Sequence, residues 1–102
     1  MSAATSFATS STTSPVRAET VRALFFLVGA SDPGLLPRLV EPVAKLGHVP
    51  TRVHASSEAG DGSELTVDLR VSGLSPRTAQ LMEHALRRVV GVRQVIAVVE
   101  AD

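Results

Sequence analysis

Few side chains in this sequence stand at spacings that chemistry requires. Cysteine is absent, which removes thiolate zinc sites, cysteine nucleophiles and disulfides together. Ser75 lies in Gly73-Leu74-Ser75-Pro76, without the glycine flanks of a nucleophile elbow, and reads as a helix cap. His48, His54 and His84 lack the close spacing of zinc ligands and read as solvent-exposed. Gly60-Asp61-Gly62 is a hairpin signal; a phosphate cradle would follow a strand and open a helix. Arg87, Arg88 and Arg93 make a basic cluster, with Glu83 placed to pair with Arg87 at i,i+4. No catalytic constellation results. The chain is read as a non-enzyme that needs neither cofactor nor metal.

One segment remains, Ala30-Ser31-Asp32-Pro33-Gly34-Leu35-Leu36. It predicts a strand-to-helix turn with Asp32 as N-cap and Pro33 at the first helical position. A helix start carries unpaired N–H donors and a partial positive charge, which together can hold the carboxylate of a small ligand. Gly34 would let another group approach the backbone closely. The purely structural alternative stays open, because the Asp32 side chain can itself satisfy the amides of Gly34 and Leu35, and Pro33 donates nothing.

The elements that must position this turn follow from periodicity. Of 102 residues, 44% are hydrophobic and only 3% aromatic. The first 20, with five Ser, five Thr and four Ala, read as a disordered tail over residues 1–20. Residues 21–102 form a single domain of roughly 80 residues with a thin core. Ten basic and ten acidic side chains balance, so the electrostatic footprint and stacking aromatics of a nucleic-acid binder are missing. No apolar run approaches the ~20 residues of a membrane helix, and no membrane partner is expected.

Within 21–102, Arg22–Val28 is a continuous apolar run of strand length. Leu36, Leu39, Val40, Val43 and Leu46 follow at helical spacing up to Gly47. Pro37 and Pro42 fall inside that helix and predict a kink near residues 38–42. Residues 51–57 alternate, with Val53 and Ala55 on the apolar side, and residues 65–71 alternate strictly. Ser75-Pro76 opens a second helix with Ala79, Met82, Leu86 and Val89 inward, ended by Gly91, and residues 94–100 make a last strand. The order β-α-β-β-α-β specifies a ferredoxin-like α+β fold, a four-stranded antiparallel sheet with two helices on one face. The first and last strands are apolar on both sides, through Leu24, Phe26 and Val28 and through Ile96 and Val98. At least a dimer is therefore expected.

The chain at this point resembles the ACT domain family, and within it the small regulatory subunit of acetolactate synthase. The likeness runs through Asp32-Pro33-Gly34-Leu35-Leu36, Arg38, Leu46-Gly47-His48 and the closing Val92 and Val95, and covers residues 22–100. It implies a non-catalytic, cytoplasmic regulatory domain that binds an amino acid between two subunits and modulates a separate catalytic subunit. In branched-chain amino-acid biosynthesis that subunit would be acetolactate synthase. It further implies a ligand site over Ser31, Asp32, Pro33, Gly34, Leu35, Leu36, His48 and Val49, with Ser31 as a polar contact. Val49 stands where those subunits usually carry a second polar contact, and Leu46 where they carry arginine. These departures favour the alternative of a ligand-free oligomerisation module of the same fold.

Overall fold

The computed structural model describes residues 20–58 and 61–102; of the tail expected over 1–20, residues 1–19 lie outside them. Six elements follow in order: β1 (Val21–Ala30), α1 (Leu35–Lys45), β2 (Arg52–Ser56), β3 (Glu64–Leu74), α2 (Pro76–Arg87) and β4 (Val92–Ala101). The strands form one antiparallel sheet in the order β2-β3-β1-β4. The sequence-derived βαββαβ fold is the observed one.

The core lies between the helices and one sheet face. Ala23, Phe25 and Leu27 of β1, Val67, Leu69 and Val71 of β3, and Val95 of β4 point into it. Leu35, Leu39 and Val43 of α1 and Ala79, Met82 and Leu86 of α2 close it from above. Both helical stripes repeat at three or four residues, so each helix turns one face inward. Alternation along the strands sends Leu24, Phe26, Asp68, Arg70, Ile96 and Val98 to the opposite face, which no helix covers.

The helix ends follow local chemistry. Ser75 caps α2 by accepting from the Thr78 amide at 3.0 Å, with Pro76 at the first helical position. Gly47, at φ +85, closes α1. The Gly47 amide donates to Ala44 O (2.9 Å) and the His48 amide to Val43 O (3.1 Å), a Schellman pattern that needs the left-handed residue glycine supplies.

Three local expectations need correction. Helix α1 starts at Leu35 with Gly34 as N-cap and no side-chain cap, not with Asp32 as cap and Pro33 as first residue. The Asp32 carboxyl is instead shared between the Arg38 guanidinium six residues on and the Gly34 amide (below). Pro37 thereby falls in the first turn, where no N–H is required, and α1 runs on across Pro42 to Lys45. Helix α2 ends at Arg87, and Gly91 (φ +102) belongs instead to the turn into β4. On β2, Val53 and Ala55 are exposed, Val53 by 41%. This strand is a sheet edge and neither helix closes over it.

Candidate functional site

The β1–α1 turn is held from three directions. Its Ser31 amide donates to Ser63 O (3.1 Å), at the mouth of the β2–β3 hairpin, and the Leu35 amide to Asp32 O (3.0 Å). The Ala30 amide donates to Gly91 O at 3.0 Å, which ties the turn to the one that launches β4. The third tie is Arg38. Its Nη2 donates to Asp32 Oδ2 at 2.9 Å and to the Val90 carbonyl at 3.1 Å. Its Nε is buried without a hydrogen-bond partner.

This arrangement gives Asp32 a different task from helix capping. The Arg38 guanidinium, and after it the Gly34 amide, hold the Asp32 carboxyl below the usual carboxylate range. The Asp32–Arg38 contact is therefore fully present above the ordinary aspartate value near pH 3.9 and is lost as pH falls through the lowered folded value. Comparing wild type with Asp32→Asn by chemical denaturation should show a constant stability gap between about pH 5 and 8 that closes below about pH 4. A gap that persists unchanged into acid would contradict the assignment. Both side chains are about half exposed, so high salt should narrow the gap as well.

Ser31, Asp32, Pro33 and Leu36 line one wall of an open depression of about 310 Å³, and Ser57 and Leu65 line the other. Of the residues expected at the site, these four come together. Gly34 lies beside them, at φ −83, so no left-handed backbone demands glycine there. What glycine supplies is room, because a Cβ at Gly34 would stand 2.6 Å from Arg38 Nη1. Leu35 is 1% exposed and faces the core, so its expected place among ligand contacts is corrected to a packing role. His48 and Val49 follow α1 at its far end. The 11 residues of the helix put roughly 16 Å between them and the turn. Val49 is 83% exposed.

Sequence reasoning missed Arg38 as a partner of the turn, and also Ser57 and Leu65. Ser57 and Leu65 flank the hairpin and become neighbours of the turn only once β3 pairs with β1. For Arg38 the signal was legible, an acid six residues before an arginine across a helix start. Among the described residues no group of His, Asp and Glu could hold a metal ion, and no helix is long and apolar enough to cross a membrane.

Comparison with known proteins bears on this geometry. Residues 16–101 match the family described as ACT-like domain. The chain belongs to that family. No curated protein sequence matches it. Among solved structures it is similar to the ACT domain of GTP pyrophosphokinase from Chlorobium tepidum, at 16% identity and a TM-score of 0.65 over 78% of this chain and 99% of that one. It is also similar to the C-terminal domain of the MgtC protein from Mycobacterium tuberculosis, at 11% identity and a TM-score of 0.62, covering 81% and 90%. For the regulatory subunit of aspartate kinase from Thermus flavus the values are 18% and 0.55, over 81% of this chain and 56% of the other. At these identities the solved structures speak for the fold. The ACT-like match begins at residue 16, five residues before β1 of this ACT-like domain.

Proposed function

We propose that this ACT-like domain is a non-catalytic regulatory module that binds an amino acid at the β1–α1 turn, between two subunits, and modulates a partner enzyme. The observation that carries this reading is the depression in which Ser31, Asp32, Pro33 and Leu36 meet Ser57 and Leu65. It presents hydroxyls and backbone groups for an ammonium and carboxylate, beside an apolar surface for a side chain. The separation of His48 and Val49 from the turn supports a shared site, since a ligand touching both sets must lie between two copies. The exposed Val49 and Val53 on the β2 side offer the apolar surface for that contact. The regulatory role agrees with the aspartate kinase regulatory subunit among the structural relatives. The finer reading, a branched-chain effector and an acetolactate synthase-like partner, rests on the Ser31-Asp32-Pro33-Gly34 resemblance.

A second reading, a ligand-free oligomerisation module, is favoured by two observations. Val49 stands where a polar contact is needed, and Arg38 is already engaged by Asp32 and Val90. Calorimetric titration of the full chain with each of the twenty amino acids separates the two. Binding should raise the thermal midpoint, because a ligand at 100 times its Kd stabilises the native state by about 2.7 kcal/mol. Silence from all twenty removes the sensing role and leaves the module.

A further inference from the structure

We infer that the sheet face not covered by helices binds a medium-chain carboxylate, with the head group among Arg22, Arg70 and Ser72 and the chain over the apolar stripe of β1 and β4. Two depressions meet on that face. One, of about 350 Å³, is lined by Arg22, Leu24, Thr51, Arg70, Ser72 and Glu100. It lies where the sheet register slips: Val21 pairs with Leu74 and Ala23 with Val71, which leaves Arg22 facing a bulge at Ser72 and Gly73. The other, of about 210 Å³, is lined by Leu24, Phe26, Ile96 and Val98, with Asp68 and Arg70 on its β3 side. Phe26, Ile96 and Val98 are 44%, 49% and 47% exposed there. Leu24 and Arg70 belong to both depressions, so the polar and the apolar one are continuous.

The charges around the polar depression select an anion. Glu100 accepts from Arg22 Nε at 2.9 Å. Asp68 accepts from Arg70 Nε (3.0 Å) and Nη2 (3.1 Å) and lies 3.8 Å from Arg52 Nε. Asp102 accepts from the Gly73 amide at 2.9 Å. Arg52 stands across from Arg70, and His54 across from Asp68. Each carboxylate is thus already fastened. Both terminal nitrogens of Arg22, Nη1 of Arg70 and the Ser72 hydroxyl, in contrast, bond to no described residue. A carboxylate placed among these donors gains charge-assisted hydrogen bonds, whereas a cation finds only acids that are taken. The sheet also sets the length of the ligand. From midway between Arg22 and Leu24 to the row of Phe26 and Ile96 is roughly 10 Å, the reach of an extended chain of about eight carbons. The β1–α1 turn lies at the other end of β1, so this site goes beyond the amino-acid site proposed above and stands without it.

Nuclear magnetic resonance titration of the full chain with octanoate tests the assignment. Octanoate should shift the amides of Leu24, Phe26, Arg70, Ser72 and Val98 and leave those of Ser31, Asp32 and Leu36 in place. Octylammonium, with the wrong head, and butyrate, with too short a chain, should each bind at least about 10-fold more weakly. Arg22→Gln should weaken octanoate about 5-fold, and Val98→Glu at least about 10-fold. Both positions are exposed, and unchanged amide signals away from this face confirm the fold of each variant. Octanoate bound equally well by both variants, or octylammonium bound as tightly as octanoate, would mean unspecific apolar adsorption and overturn the inference. Absence of shifts on this face at about 10 mM octanoate, where even millimolar affinity would register, would overturn it as well. In that case a dimer that Val98→Glu dissociates would make a second copy the occupant.

Discussion

Replacing Gly29 by valine should destabilise the domain by about 3 kcal/mol. Gly29 stands on the core side of β1, next to the strand's last residue, where the sheet passes under the start of α1. A Cβ there would lie 2.6 Å from the Gly91 carbonyl oxygen and 2.7 Å from Leu35 Cδ2. The Leu35 methyl can rotate away, but the carbonyl is backbone and already accepts from the Ala30 amide at 3.0 Å. Either β4 shifts outward or that hydrogen bond is lost. Chemical denaturation should show a lower midpoint at unchanged slope. A Gly29→Val variant with wild-type stability would mean that the two turns are not in contact.

Leu35→Ala should cost about 3 kcal/mol, within the 2–5 kcal/mol range for a buried leucine. The neighbouring Leu36→Ala should cost clearly less, since Leu36 is only partly buried at the rim of the core. The contrast separates packing from binding. Leu35 loss acts on stability, whereas Leu36 loss acts on any ligand held in the depression it lines. The two large effects should also couple. Removing the Leu35 side chain frees one of the two atoms that crowd Gly29, so Gly29→Ala should cost less in the Leu35→Ala background than in wild type.

Features that depend on near neighbours were legible in the sequence. Ser75 sits one residue before Pro76 and three before the amide it caps, and Gly47 follows the last apolar position of α1; both were read correctly from spacing alone. Alternation over 65–71 placed Val67, Leu69 and Val71 in the core without any structural information. At the start of α1 spacing alone missed that the Asp32 side chain also reaches Arg38, one turn into the helix. A charged guanidinium at 2.9 Å holds a carboxylate more firmly than a helix amide does. The exposure of Val53 was misread for a different reason. Alternation tells which way a side chain points, but not whether an opposing layer reaches that far, and β2 is the sheet edge. The approach of Gly29 to Gly91 spans 62 positions and involves no side chain from either residue, so no local pattern could announce it. For the candidate site, the turn was found from its cap-like chemistry. Its opposite wall, Ser57 and Leu65, arises only from the pairing of β3 with β1.

The contact between Gly29 and Gly91 has a consequence for how the molecule opens. The end of β1 and the turn into β4 meet there through backbone, with only the Leu35 side chain packed against both glycines to absorb a displacement. The Ala30–Gly91 hydrogen bond, the Arg38 link to Val90 and the seat of Leu35 must then break together or not at all. In hydrogen exchange, the amides of Ala30, Leu35 and Val92 should therefore report one shared opening free energy, distinct from the faster exchange of the exposed edge strand β2. A disturbance at the first turn would travel as a cooperative unit into β4, the strand that carries Ile96 and Val98.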